Sequence, residues 1–407
     1  MNNKQQSIEQ TAILELADRC VKCGLCSTHC PTYKLSGDEN ESPRGRIALA
    51  QALASNSLQD ISKAELHLEN CLHCRRCEKV CPSGVDYGQL KDATSELIKE
   101  YRGSKKQKRF EEQSIRFISI SNHKKWRKIS RFWRWLQAIN AQKMFLTLTN
   151  KQKFLSYLPK QTKPIQQPSE KAARKSNSVS LFTGCLSHVF DSATLNDSIS
   201  LLNHCGHDTN IPEKQNCCGG LAQHSGYKQL ANTCQQQNEQ TFNEDSAQTV
   251  VFTATGCGMT LKEQDGMLAN KATEICHFLN NSELFSDQEF LPLAITVVVH
   301  TPCSERNALK QYGEIEKALS NIPDLNIISL PENISCCGAG GNYMFTHQDK
   351  AAQIREAVLD QIEKHKPDLV VSSNYTCRMH LQAGLHEKAL DTATMHPISL
   401  LWQQLKK

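Results

Sequence analysis

The chain has 407 residues, of which 39 % are hydrophobic, a net charge of +5 and 19 cysteines. It is long enough for about two or three domains with cores of their own, and no apolar run reaches the roughly 18 residues of a membrane-spanning helix. The stretch Met1–Gln10 is polar and lacks the apolar segment of a secretory signal. A cytoplasmic protein is therefore expected, and there so many cysteines argue for metal rather than disulfides. Charge is unevenly spread. Residues 102–134 hold twelve Lys/Arg and two Asp/Glu, a local +10, which leaves the remainder near −5. A fold that is basic throughout is excluded, and with it the usual profile of a nucleic-acid binder.

Residues 1–100 carry eight cysteines in two tight runs. The first is Cys20, Cys23, Cys26 and Cys30, followed by Pro31; the second is Cys71, Cys74, Cys77 and Cys81, followed by Pro82. Three cysteines at two-residue gaps wrap one iron–sulfur cubane, and the fourth reaches across to the other cluster. This predicts a ferredoxin-like domain with two 4Fe-4S clusters. One is held by Cys20, Cys23, Cys26 and Cys81, the other by Cys71, Cys74, Cys77 and Cys30. A zinc site would prefer two separated pairs of ligands. Lys22, Arg75, Arg76 and Lys79 lie inside the loops, where they either raise the cluster potentials or are simply solvated. Between the runs, Ser42 and Pro43 read as the N-cap and first position of a helix. Its Arg44 and Arg46 either dock a partner, screen a cluster or lie on a plain surface.

Residues 101–178 contain no cysteine but three of the four Trp. Trp126, Ile129, Trp133 and Leu136 fall on one face of a helix interleaved with Lys and Arg. That pattern suits a helix packed on the ferredoxin domain or on a partner subunit, or one lying on an anionic membrane surface. Pro159–Ser178 reads as a linker.

Residues 179–407 form an internal repeat. Cys185 corresponds to Cys303, Cys217 and Cys218 to Cys336 and Cys337, and Cys257 to Cys377, with offsets of 118 to 120 residues. Strand-like runs precede the first and last cysteine of each half, and helical stretches follow the first cysteine (Ser304–Ala318) and the pair (Asp349–Lys364). Two α/β half-domains with parallel sheets are expected, over 179–290 and 291–407, with each repeated cysteine on a loop at a strand's carboxyl end. Gly219 and Gly338 would let the backbone turn after each cysteine pair. Three readings stay open: a third iron–sulfur cluster between the halves, a redox-active thiol site, or a cluster site kept for packing. His380 is a weak ligand candidate and His300 reads as structural. Cys205, Cys234 and Cys276 fall outside the repeat and read as buried thiols. The fold class is thus a multidomain α+β and α/β chain, a helical two-cluster domain followed by two repeated α/β half-domains. No flavin motif, nicotinamide fingerprint or acid–base pair is present, so no catalytic residue is assigned.

The Cys20–Glu39 run, Ser42-Pro-Arg-Gly-Arg-Ile47, Cys81-Pro-Ser-Gly-Val85, Thr255-Gly-Cys-Gly258, Ser335-Cys-Cys-Gly338 and Cys377-Arg-Met-His380 resemble the iron–sulfur subunit of glycolate oxidase, a glycolate dehydrogenase, over nearly the whole chain. The resemblance implies a complex in which flavin-bearing subunits oxidise glycolate and this subunit passes electrons on, towards the membrane quinone pool. Corresponding subunits of anaerobic glycerol-3-phosphate dehydrogenase, D-lactate dehydrogenase and heterodisulfide reductase share the layout. Gly37-Asp-Glu39 and the Pro-Arg-Gly-Arg-Ile run favour the glycolate type. Heterodisulfide reductases carry Cys-x-x-Cys at the end of a half; neither half does so here. The alternative function is a stand-alone thiol–disulfide oxidoreductase, and a redox sensor with structural clusters is a third. Nucleic acid is not an expected partner, and a place on the inner face of the cell membrane is compatible with the basic helix.

Overall fold

The computed structural model describes residues 8–102, 123–139, 177–334 and 336–407, with a few isolated positions between 113 and 166. Most of the Pro159–Ser178 linker and the 103–122 part of the basic stretch lie outside the described residues.

The cysteine-bearing first lobe is helical among its described residues. Helices Ile8–Asp18, Pro43–Ala54, Ile61–Glu69 and Tyr87–Arg102 close on a core that includes Ile13, Ile47, Leu53, Leu68, Leu90 and Leu97. The second helix begins as its sequence dictates: Ser42 Oγ accepts the Gly45 amide at 3.0 Å and Pro43 occupies the first turn. The cysteine loops sit at the ends of these helices, so the rigid core fixes where their sulfurs point.

Two four-stranded parallel sheets follow. The first runs β2 (Asp208–Asn210), β1 (Ser178–Phe182), β3 (Thr249–Phe252), β4 (Ala272–Glu274). The second repeats that order as β6 (Asn326–Ser329), β5 (Thr296–Val299), β7 (Leu369–Val371), β8 (Ala393–Met395). Register also repeats: Val179 faces Thr249 and Val297 faces Leu369. The central strands are apolar and buried on both faces, as parallel strands covered by helices must be. Each such side chain contributes about 1.5–3 kcal/mol on burial.

The two halves share one core, in which Leu181, Val251 and Leu202 join Val299, Val371 and Leu401. They also exchange helices. Pro397–Gln404 of the second half packs on Ser192–His204 of the first, and Ile275–Asn280 of the first packs on Glu314–Leu319 of the second. A buried Arg378–Asp191 ion pair and a bond between His396 Nε2 and the Thr253 carbonyl, 2.9 Å, cross the same seam.

Two expectations need correction. The single helix over Ser304–Ala318 is broken: a π-helical turn, Ser304–Leu309, ends at left-handed Lys310, and a new helix starts at Glu314 after Gly313 at φ 87°. The basic helix His123–Ala138 packs on neither the ferredoxin lobe nor open solvent alone. Its Trp126, Trp133 and Leu136 are buried on the first repeat, where Trp133 meets Phe190 edge-on at 5.9 Å.

Candidate functional site

Parallel strands of similar length end at one level, and here that level is lined with sulfur. Cys185 follows β1, the Cys217–Cys218 pair follows β2, and Cys257 follows β3; Cys303, Cys336–Cys337 and Cys377 follow β5, β6 and β7. The turn after each pair needs a left-handed residue, met by Gly219 at φ 88° and Gly338 at φ 76°. A Cβ on Gly338 would lie 2.4 Å from the Ala351 carbonyl oxygen, so no other residue fits there.

The eight repeat cysteines form two sets, one in each half. In the first, Cys217 Sγ lies 3.6 Å from Cys185 Sγ, and Cys218 hydrogen-bonds with Cys217 and Cys257. Those two bonds hold the Cys218 thiol well below its ordinary value, while its bonds to Cys185 and Cys218 push Cys217 up. In the second, Cys337 Sγ is 2.8 Å from Cys377 Sγ, and Asn374 Nδ2 donates to Cys377 Sγ at 3.4 Å. Burial first, then Cys337, pushes Cys336 up to about 12. Three readings of these cysteines are open from sequence, a cluster between the halves among them, and in the fold each set stands on the strands of its own half. Both sets open on one cavity of about 1340 Å³, which Cys71 and Cys74 of the ferredoxin lobe also line.

The ferredoxin cysteines likewise fall into neighbourhoods. Cys20, Cys23, Cys26, Cys77 and Cys81 surround a small second cavity with Leu25, Pro43 and Tyr87. Charge interactions connect Cys77 with Cys74, Cys71 and Cys30, and Cys74 in turn with Cys336, Cys30 and Cys71. Burial pushes both thiols upward. Such thiols must lose their protons to a bound metal, and closely set cysteine sulfurs are the donors that iron–sulfur clusters take. The two loops differ in exposure. The first is at the surface, with Cys23, Val21 and Leu25 exposed. The second is sunk against the second repeat, where Leu72 joins the apolar core and Asn307 Nδ2 donates to the Cys74 carbonyl at 2.7 Å.

Charged residues of the loops do more than face water. Arg75 pairs with Glu263, Arg76 Nη2 donates to the Glu332 carbonyl at 2.9 Å, and Lys79 pairs with the Glu332 side chain. Lys22 lies exposed on the first loop, and Lys79 is exposed on the second. Arg46 is buried, pairs with Glu41 at 2.5 Å, donates to the His67 carbonyl at 2.7 Å and points Nη1 at Cys30 Sγ, 3.8 Å away. A buried cation so placed screens negative charge gathered beside Cys30. Arg44 is at the surface, paired with Glu39 at 2.5 Å.

His380 is buried, its Nδ1 within 2.7 Å of the Cys337 carbonyl oxygen, and burial moves its pKa down to about 4. It braces the cysteine pair from behind. His300 Nδ1 meets Ser372 Oγ at 3.0 Å in the core. Cys205, Cys234 and Cys276 are buried, Cys234 in the same core cluster as Cys185, Cys217 and Cys218, and burial pushes Cys205 and Cys234 up to about 12. One constellation that spacing could not reveal lies at the cavity wall: His73 and His224, far apart in sequence, line the cavity and converge on Asp92. Burial alone would raise the Asp92 carboxyl; the neighbouring His224 and His73 overcome it and hold that carboxyl low.

Comparison with known proteins agrees with this layout. Residues 16–85 match the 4Fe-4S dicluster domain family, and residues 179–262 and 297–382 match the cysteine-rich domain family. The chain is 28 % identical to the glycolate oxidase iron-sulfur subunit of Escherichia coli, covering 100 % of this chain and 98 % of that one. It is 28 % identical to the probable glycolate oxidase iron-sulfur subunit of Bacillus subtilis, covering 91 % and 89 %. Lactate utilization protein A 2 of Bacillus cereus is 28 % identical over 56 % of this chain and 99 % of its own length. A crystal structure of a hypothetical protein from Helicobacter pylori shares the fold, with a TM-score of 0.53 and 9 % identity over 100 % of this chain and 73 % of that one. The chain thus joins a 4Fe-4S dicluster domain to two cysteine-rich domains, and along its whole length it is similar to the glycolate oxidase iron–sulfur subunits.

Proposed function

We propose that this chain is the electron-transfer subunit of a flavin-linked 2-hydroxyacid dehydrogenase, with glycolate as the substrate of its flavin-bearing partners. The observation that carries the reading is the unbroken line of cysteine sets from surface to interior. It starts at the exposed Cys20–Cys26 loop, passes Cys71, Cys74, Cys77 and Cys30, and reaches Cys303 and Cys336 beside Cys74. In this reading Cys20, Cys23, Cys26 and Cys81 hold one 4Fe-4S cluster, and Cys71, Cys74, Cys77 and Cys30 the other. A further iron–sulfur cluster sits in the repeats, on Cys303, Cys336, Cys337 and Cys377 or on Cys185, Cys217, Cys218 and Cys257. Such clusters supply one-electron carriers. The protein's own part is to space them, bury them and set nearby charge, as Arg46 does beside Cys30.

The exposed first loop, with apolar Val21 and Leu25 around it, is the docking point for a flavin subunit. Electrons then leave for the membrane quinone pool. The basic helix supports a peripheral contact with the inner face of the cell membrane: Phe132, Trp135 and Ile139 are exposed opposite its packed face, beside exposed Lys128 and Arg131. Among the described residues no helix is long and apolar enough to cross a membrane.

The test is to isolate the tagged chain anaerobically from its own host and record the visible spectrum before and after adding glycolate. Co-purified flavin, bleached together with the clusters by glycolate, is the expected result. Bleaching by D-lactate or glycerol-3-phosphate alone would keep the architecture and change the substrate. A second reading has one specific observation behind it: the short Cys337–Cys377 approach also suits a dithiol. Isolation without any flavoprotein would favour that stand-alone thiol–disulfide oxidoreductase.

A further inference from the structure

Beside the cysteine sets, one carboxylate oxygen faces two imidazoles. Asp92 Oδ1 is 2.9 Å from His224 Nδ1 and 3.8 Å from His73 Nδ1. The rings lie face to face, tilted by 32°, with centroids 4.2 Å apart. The three groups come from different parts of the fold: His73 from the second ferredoxin loop, Asp92 from the helix that follows it, and His224 from the short helix after the Cys217–Cys218 pair.

Hydrogen bonding explains only part of this. His224 and Asp92 make an ordinary bond, but 3.8 Å is too long for one to His73. The other carboxylate oxygen is already fixed. Gln223 Nε2 donates to Asp92 Oδ2 at 2.8 Å, and Gln235 Nε2 donates to Gln223 Oε1 at 3.2 Å. A carboxylate held from behind by a bonded chain, with its other oxygen between two imidazoles, is how ligating carboxylates are oriented in metal sites. The three donor atoms lie within 4.8 Å of one another. A zinc-like ion at about 2.0–2.1 Å from each needs them roughly 3–3.5 Å apart, close to the 2.9 and 3.8 Å that separate Asp92 Oδ1 from the two imidazole nitrogens. His73 and His224 also line the large cavity, which gives an ion a way in and leaves room for water as a further ligand. The backbone does not explain the choice of residue. His73 at φ 51° and Lys22 at φ 56° occupy matching places in the two loops, yet Lys22 lies exposed.

We infer that His73, Asp92 and His224 form a mononuclear site for a zinc-class divalent cation, clasping the ferredoxin lobe to the first repeat. Two neutral imidazoles and one carboxylate suit zinc, whereas the cysteine sets suit iron and sulfide. The site is separate from the electron route and does not depend on which substrate the complex oxidises.

The test uses the full chain isolated anaerobically with its clusters in place, equilibrated with zinc chloride alone and then dialysed against metal-free buffer. Retention of about one zinc per chain is expected, with nitrogen and oxygen neighbours at about 2.0–2.1 Å in the zinc X-ray absorption spectrum. His224→Ala and Asp92→Asn should each lose that zinc while cluster iron and sulfide stay at the wild-type level. Should His224→Ala fold poorly, the nearly isosteric Asp92→Asn reads the same quantity. The inference is overturned if the wild type retains no zinc. It is equally overturned if zinc sits among sulfurs at about 2.3 Å, or if Asp92→Asn keeps nitrogen-bound zinc.

Discussion

At the scale of single residues, two buried charges decide much. Arg46 neutralises Glu41 inside the ferredoxin lobe, with both side chains almost wholly buried. Arg46→Met leaves Glu41 buried without its cation, which costs about 3–5 kcal/mol. Thermal unfolding of the clustered protein should show that loss, and an unchanged melting temperature would contradict the placement. Glu274 behaves in the opposite sense. It caps the helix Ile275–Asn280 by accepting the Cys276 and His277 amides at 2.6 and 3.0 Å, and burial lifts its pKa to about 7. A carboxyl raised above its unfolded value holds its proton better in the folded state. The stability it contributes is complete below the unfolded pKa and is lost as pH rises through the folded one. Stability should therefore fall between about pH 4.5 and 7. Glu274→Gln, which keeps an acceptor at the cap, should flatten that part of the profile in denaturant titrations at several pH values. Cys336→Ser belongs here too: turnover of the complex should fall while the electron paramagnetic resonance signals of the two ferredoxin clusters persist. Unchanged turnover would make the repeat cysteines structural.

At the scale of elements, the basic helix divides cleanly into two faces. Trp133 is buried against Phe190, so Trp133→Ala should cost about 3 kcal/mol. Trp135 is 56 % exposed, and Trp135→Ala should leave stability within about 0.5 kcal/mol. The same Trp135→Ala should weaken binding to anionic vesicles in a flotation assay, where Trp133→Ala acts only through stability. Equal vesicle binding by wild type and Trp135→Ala would remove the membrane from the account. The sequence carried the inward face plainly, because Trp126, Ile129, Trp133 and Leu136 share a helical period. It could not name what that face covers, since the first repeat meets it only through the tertiary fold. The strands were legible for a related reason: β-branched runs such as Thr296–Val299 stand directly before a cysteine in both halves. The break at Lys310 was not, because the left-handed turn is set by packing and nothing in Ser304–Leu309 excludes a continuous helix.

At the scale of the whole molecule, the repeat is a two-fold arrangement of sheets whose carboxyl ends meet the ferredoxin loops across one cavity. Cysteine spacing told which residues recur but not how they associate, for eight cysteines at repeated offsets fit one shared site or two separate ones equally well. In the fold each set stands on strands of its own half, and both face one cavity. In the same way Arg75, Arg76 and Lys79 read in sequence either as tuning charges or as solvated ones, and the structure uses them to lash the loop to Glu263 and Glu332. Contact between His73 and His224 was beyond any local pattern. The consequence of this assembly is a route that runs from the exposed first loop through Cys74 to the repeats.

The most direct measurement of that route is the iron and acid-labile sulfide content of the anaerobically isolated chain. Two cubanes account for about eight iron atoms, and a route that continues into the repeats predicts clearly more, about twelve with one further cluster. A value of about eight would mean that the repeat cysteines hold no cluster and that the relay ends within the ferredoxin lobe.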